Sequence, residues 1–571
     1  MKHVFFFRAA GLLAGLFLAL TPPAAAQAPA WQSAQAVAAA TAAVAGNEST
    51  VTATAVDAAG NVYLAGFFTN SVVLGGTTLT SLGRDDVFVA KFSPVSNQIV
   101  WAQRAGGTGN DEAYALAVSG TSVYVTGIFE SAAAGFGAIT LTSAGVYDAF
   151  VAKLTDSGTR AGFTWAQRAG GTGQDYGYAL AVSGTSVYIA GSFASPTVNF
   201  GNTTLAGSLF TNVFVAKLTD AGPTGSFVWA QQAGGTSEDE AFALAASGAS
   251  VYVAGYFASS TAGFGGINLT NASSSPDAFV AKLTDAGLTG SFTWAQRAGG
   301  AGEDEAIALA VSGQSVYVAG YYGSPVAGFG GTSLANAGVG SADVFVAKLS
   351  DAGPTSGFSW AQRAGGTGDD LCGALAVSGT SVYVAGVFDS PTAGFGGTVL
   401  ANINPGARAF DVFVTKLTDA GTTGGFAWAQ RGGGPNNEFT QALALSGTSV
   451  YVAGGFLGTN AVFGNTTLTN SGPIALLGFL AALTDPTLTA TAAGRVLNPA
   501  QLFPNPARRT ATLRLPTGTP SIPLTLTDAL GRAVRRYPAP AGPETALDLS
   551  DLPAGLYLLR GAGPAQRLAV E

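Results

Sequence analysis

The sequence predicts an all-β fold, a seven-bladed β-propeller followed by a small C-terminal β-sandwich, and three sets of evenly spaced residues predict it. The tryptophans, Trp31, Trp101, Trp165, Trp229, Trp294, Trp360 and Trp428, recur every 64 to 70 residues. Runs like Val-Tyr-Val-Ala-Gly start at Val62, Val123, Val187, Val251, Val316, Val382 and Val450. Runs like Phe-Val-Ala-Lys-Leu start at Phe88, Phe150, Phe214, Phe279, Phe345, Phe413 and Phe479. Each marker gives seven copies, and self-similarity at a fixed period is the mark of a repeat architecture.

Within one repeat, 113–165, the elements follow in order. Tyr114–Val118 is apolar and ends at Ser119-Gly120, and Ser122–Thr126 follows a tight turn. Phe136-Gly137 and Leu141 lead through a loop at Gly145 to Ala149–Leu154, and Phe163–Arg168 closes the repeat before Gly170-Gly171. Short β-branched and aromatic runs bounded by Gly, Ser and Asp read as strands and turns. Four strands in a repeat this long make a propeller blade rather than a solenoid coil. The first strand is alanine-rich, as a strand crowded around a central channel should be. The tryptophans sit on the last strand, where diverging blades leave room for large packing groups. The last copy, Phe479–Leu483, has no tryptophan strand after it, whereas Trp31 precedes the first. The N-terminal strand is therefore expected to complete the seventh blade, because an open ring would leave strand edges unpaired.

The ends read differently. Lys2 and Arg8, the apolar run Leu12–Leu20 and Ala24-Ala25-Ala26 form a signal peptide over residues 1–26. The expected organisation is then the propeller over 27–486, a linker over 487–501 and a separate domain over 502–571. After cleavage no segment is expected to span a membrane. Residues 28–486 carry 14 Lys+Arg against 28 Asp+Glu, and residues 487–571 carry 9 against 5, so an acidic body meets a basic tail. An acidic body argues against nucleic acid as a partner.

The run Ala-Leu-Ala-Val-Ser-Gly with Thr-Ser-Val-Tyr-Val-Ala-Gly, Asp-Ala-Phe-Val-Ala-Lys-Leu and the Trp and Gly-Gly positions resembles the SBBP family of bacterial extracellular repeats. That resemblance covers roughly Trp31 to Leu483 and implies the propeller, with no activity attached. The tail is similar to the type A C-terminal sorting domain of the type IX secretion system. Phe503-Pro504-Asn505-Pro506, Thr527-Asp528 with Gly531-Arg532, and Leu552-Pro553-Ala-Gly555-Leu-Tyr557 carry the match. This resemblance implies a Bacteroidota-type host, the type IX machinery as a partner, and a secreted, extracellular or outer-surface location.

Chemistry is scarce. His3 is the only histidine and Cys372 the only cysteine, so the mature chain holds no Ser-His-Asp or Cys-His arrangement and no His-ligated zinc. Carboxylates remain. Asp111, Asp175, Asp239, Asp304 and Asp369 recur after the Gly-Gly turns and are expected to form an acidic ring near the channel mouth. Hard oxygen ligands suit Ca²⁺, so calcium is the one cofactor that the sequence raises. The expected function is a non-catalytic scaffold binding an extracellular protein or glycan. A carbohydrate-active enzyme using loop carboxylates is the alternative, although near-identical repeats do not supply two unlike carboxylates.

Overall fold

The computed structural model describes residues 29–37, 39–40, 48–208, 210–406, 408–470, 476–488, 501–503, 506–514, 523–528, 532–540, 542, 544–560 and 566–570. The expected signal peptide, residues 1–26, and most of the expected linker, 487–501, lie outside them. Among the described residues the chain is all-β, and none forms a helix.

A four-stranded antiparallel meander recurs along the body, with innermost strands that begin at Ser49, Asp111, Asp175, Asp239, Asp304, Asp370 and Glu438. Asp111–Ser119 pairs with Ser122–Phe129, which pairs with Asp148–Asp156, which pairs with the tryptophan strand Ala161–Gly170. The second and third strands are buried on both faces, which explains why apolar residues fill consecutive positions in them instead of alternating with polar ones. The last meander takes its outer strand from the other end of the chain: Trp31–Val37 pairs antiparallel with Leu477–Thr484. No sheet closes on itself. Instead each innermost strand lies against the next, and Ser49–Val56 lies against Glu438–Ser446, so that one cavity touches them all.

Between the second and third strands the sequence reading placed only a loop. The structure has a short hairpin there, such as Ala133–Phe136 with Ile139–Thr142, and its first strand pairs with the outer strand of the preceding meander. Phe136 packs edge-on against Phe163 and tilted against Phe150, so the Phe-Gly motif serves as a clasp over the outer strand.

A polar latch joins neighbouring meanders inside these apolar walls. The Lys217 ammonium and the Tyr188 hydroxyl each donate to Asp285 Oδ2 at 2.6 Å, and Trp229 Nε1 donates to Oδ1 at 3.1 Å. Asp285 belongs to the next meander. The same buried lysine–aspartate pair recurs as Lys91–Asp156, Lys153–Asp220, Lys282–Asp351, Lys348–Asp419 and Lys416–Asp485, at 2.6 to 2.9 Å. At the joint between the last meander and the first, both partners are missing. Ala482 stands in the lysine position and Pro94 in the aspartate position. Trp31 does not take the place of a latch tryptophan at this joint: it pairs with Leu483, and its Nε1 points back to the sixth meander, donating to the Arg431 carbonyl at 2.7 Å. This joint rests on apolar packing of Val51, Leu64, Ala442, Tyr451, Leu480 and Ala482.

In the tail, Gln501–Phe503, Thr510–Arg514 and Glu544–Asp548 form one sheet, and Ala533–Tyr537, Leu524–Asp528, Gly555–Arg560 and Gln566–Val570 form another. Leu513, Leu526, Leu547, Tyr557, Leu559 and Leu568 share a core between them.

Candidate functional site

The central channel is built by a repeated irregularity. In the fourth innermost strand, Ala241 pairs with Gly255 and Ala243 with Ala254, which leaves Phe242 as the extra residue of a β-bulge. A Cβ on Gly255 would overlap the Glu240 carbonyl oxygen, so the glycine of the Val-Ala-Gly motif is what lets the bulge form. Bulges re-aim side chains. The bulged residues of successive strands are Thr52, Tyr114, Tyr178, Phe242, Ile307, Gly373 and Gln441, and all of them line one cavity of about 550 Å³.

The backbone repeats and the lining does not. Tyr178 lies 5.5 Å from Tyr114 and 5.4 Å from Phe242, ring centre to ring centre, and Tyr176 stacks on it at 5.3 Å with planes only 5° apart. Tyr147 extends this run at one end and Tyr256 at the other. All of these rings are half-buried. The opposite wall, Thr52, Gly373 and Gln441, is small and neutral, tied by Thr50 Oγ1 to Gln441 Oε1 at 3.3 Å.

Carboxylates accompany the rings. Glu112 accepts from the Tyr114 hydroxyl at 3.0 Å, and burial pushes its carboxyl up. Burial, with Glu238 nearby, pushes Glu240 up to about 7. Burial again, with Glu303 adding to it, pushes Glu305 up to about 7. Among the described residues none of the three makes an ion pair.

The expected acidic ring takes a different form. Asp111, Asp175, Asp239 and Asp304 are buried, and each one closes its own turn. Asp304 Oδ2 accepts from Gly300 N at 2.7 Å and from the Ser324 hydroxyl at 2.6 Å, and the other three repeat the pattern with Gly107 and Ser131, Gly171 and Ser195, and Gly235 and Ser259. The fifth member is Asp370, not Asp369. Counted from the Gly-Gly pair, Asp370 matches Asp111, and it accepts from Gly366 N and the Ser390 hydroxyl. Asp369 is half-buried and accepts from Ala342 N at 3.0 Å. Gly299, at φ 142°, shows why the Gly-Gly pair recurs: a Cβ there would meet the carboxylates of Asp277 and Asp304. Among the described residues no group of three or more His, Cys, Asp or Glu could hold a metal ion. The aspartates are spent on turns and do not converge. Cys372 is buried beside the bulge, and burial pushes its thiol up to about 12, so it is inert.

Glu438 departs from this pattern. Gly458 takes the place of the serine, so only Gly434 N donates to Glu438 Oε2, at 2.9 Å, and Oε1 finds no partner among the described residues. Burial, then the neighbouring Asp411, pushes this carboxyl up to about 9. The unfolded chain releases that proton near pH 4.3, at roughly the free glutamate value, so the folded state binds more protons between there and about 9. Wild-type stability should therefore fall across this window relative to Glu438→Gln, and the difference should vanish below pH 4. Denaturant midpoints at pH 5 and pH 8 measure it, and the same wild-type-to-variant gap at both would contradict the assignment.

Of the tail residues read from the sequence, Pro504, Asn505 and Gly531 lie outside the described residues. Pro506 is exposed, and Gly555 begins the strand Gly555–Arg560. Tyr557 is buried in the tail core and donates its hydroxyl to the Pro553 carbonyl at 2.7 Å. Residues 501–567 match the family described as the secretion system C-terminal sorting domain. The chain is an exported one. Its tail addresses it, through the type IX machinery, to the cell surface or the extracellular space. No curated protein matches the chain. Among solved structures, a europium-containing methanol dehydrogenase is 12% identical with a TM-score of 0.31, over 73% of this chain and 90% of that one. A phage phi92 endosialidase is 10% identical with a TM-score of 0.34, over 94% of this chain and 87% of that one. Scores this low carry no argument about chemistry.

Proposed function

We propose that this is a secreted or surface-held seven-bladed β-propeller of the SBBP type, over residues 27–486, that works as a non-catalytic scaffold binding protein or glycan through its channel mouth. A signal peptide over 1–26 starts its export, and a β-sandwich over 502–571 completes it. The observation that carries the binding reading is the one-sided lining. A scaffold without a ligand has no use for breaking its own repeat, and here three successive blades place aromatic rings on one wall while the opposite wall stays small. Flat half-buried rings beside a few polar groups are the usual surface of a ligand pocket.

Catalysis by the loop carboxylates is the alternative. Glycoside hydrolysis needs one carboxyl held neutral and another kept ionised. Glu112, Glu240 and Glu305 are all pushed in the same direction by burial, which supplies the acid without its partner. That favours binding. Screening the purified chain against a glycan array and candidate surface proteins, beside Tyr178→Ala, tests the reading. Binding that the variant loses supports it, whereas release of cleaved sugar from a polysaccharide substrate would establish the enzyme.

Deleting residues 502–571 should leave a folded body retained in the periplasm, because the body core contains none of the tail's buried residues. Cell fractionation measures this, and undiminished appearance in the medium would refute the role given to the tail.

A further inference from the structure

We propose that the aromatic and acidic wall of the channel binds an aliphatic ammonium group. This rests on the binding reading above and names the chemical class of the ligand. The first ground is shape. The cavity is walled on one side by Tyr114, Tyr178 and Phe242, with Glu305 beside them. Half-exposed ring faces attract a cation through the ring quadrupole, and more strongly when it is partly desolvated.

The second ground is charge accounting. Ten other carboxylates of this body are matched by a cation from within, and the buried turn aspartates are each held by backbone N–H and serine donors. Each of Lys91, Lys153, Lys217, Lys282, Lys348 and Lys416 is held by a latch aspartate. Arg104, Arg168, Arg297 and Arg363 pair with Asp86, Asp148, Asp277 and Asp343. No lysine of the body is left to turn toward the channel. Glu240 makes neither an ion pair nor a side-chain hydrogen bond among the described residues, and Glu305, which makes no ion pair there, has Tyr321, Tyr256, Glu303 and Glu240 as neighbours. A half-buried carboxylate without a counter-charge is costly to ionise. A cation arriving from outside would supply that charge, and the neutral far wall leaves room for its aliphatic stem.

The ligand's affinity should follow the ionisation of these groups. Those bearing on the site are Glu112 with Asp111 and Asp85, Glu240 with Glu238 and Asp239, Glu305 with Glu303, and the tyrosines Tyr114, Tyr176, Tyr178, Tyr256 and Tyr321. Glu240 and Glu305 ionise near pH 7, so binding should strengthen between pH 5.5 and 8 and then level off while the tyrosines stay neutral.

Calorimetry on the full exported chain at matched ionic strength tests this, with 1,5-diaminopentane, Nα-acetyl-lysine amide and the neutral 1,5-pentanediol as probes. Both ammonium probes should bind at pH 8 and the diol should not. Glu240→Gln with Glu305→Gln should weaken them at least tenfold, and so should lowering the pH to 5.5. Binding of the diamine alone would assign the site to free amines, and binding of the lysine amide as well would assign it to a protein side chain. The glutamines are isosteric, and an unchanged melting temperature would show that the channel is intact. Equal binding of the diol, no binding of either ammonium, or indifference to the double substitution would overturn the ammonium class. Hits among neutral glycans under those same outcomes would leave the binding scaffold standing.

Discussion

Asp285→Ala should lower the stability of the body by about 3–5 kcal/mol, the range for breaking a buried ion pair from one side. The Lys217 ammonium, with a side chain only 8% exposed, would lose its counter-charge, and Tyr188 and Trp229 would lose their acceptor in the same step. The pH dependence supplies a second measurement. Burial alone would raise the Asp285 carboxyl, but hydrogen bonds from Lys217, Tyr188, the Gly287 N–H and Trp229 together outweigh it and hold it below its usual range. A lowered acid contributes its stability above the unfolded value, near pH 4, and loses it as the pH falls through the folded one. Wild type should therefore weaken below about pH 4, and the Asp285→Ala variant should lose less over that interval because it has less to lose. The empty joint offers the converse experiment. Ala482→Lys alone should destabilise, because it buries an ammonium opposite Pro94. Adding Pro94→Asp should recover part of that loss, with a coupling of about 0.5–3 kcal/mol in a double-mutant cycle. Additive effects in the cycle would show that the two positions do not face each other.

The reasons why the sequence revealed some features and hid others are physical. Strands of the meander announce themselves through β-branched and aromatic runs, since both faces of Phe150–Leu154 are buried and every position but the latch lysine Lys153 is apolar. The phase of the tryptophans pointed to a strand around Trp31 as the missing outer one, and Trp31–Val37 does pair with Leu477–Thr484, with Trp31 opposite Leu483, where the other repeats place phenylalanine or isoleucine. Lys217, Tyr188 and Trp229 were visible as repeated letters, but the acceptor they share lies on the next meander, so no local pattern could connect them. The hairpins were hidden because strands of only four residues, such as Ala133–Phe136, carry little periodicity. The channel wall was hidden for another reason. Alternation along Asp111–Ser119 assigns faces correctly only up to the bulge, and the bulge depends on a glycine of the neighbouring strand. Tyr176 stands where Glu112, Glu240 and Glu305 stand in their repeats, yet nothing in the sequence places Tyr114, Tyr178 and Phe242 side by side. Asp369 and Asp370 are adjacent and alike in sequence, and only the count from the Gly-Gly pair tells the turn residue, Asp370, from its neighbour.

The N-terminal strand should prove the most sensitive element of the ring. Trp31→Ala is expected to cost about 3–5 kcal/mol, as truncating a buried tryptophan does. Trp31 is 8% exposed, meets Phe463 edge-on at 5.1 Å and 79°, and donates Nε1 to Arg431 O at 2.7 Å. Removing the whole strand Trp31–Val37 should do more than add up its side chains. It would strip the partner from Leu477–Thr484, a strand buried along almost its whole length, and expose an apolar edge that invites pairing with another chain. The strand serves two joints: Trp31 packs against the sixth meander, which the Lys416–Asp485 pair also latches, whereas Val37 packs at the joint with the first, where Ala482 and Pro94 leave apolar packing to hold the ring. At that second joint no ion pair remains to resist opening. Thermal unfolding and size-exclusion chromatography of the deletion variant should therefore show a large drop in melting temperature together with self-association. A monomer that melts with the wild type would mean that the ring closes without this strand.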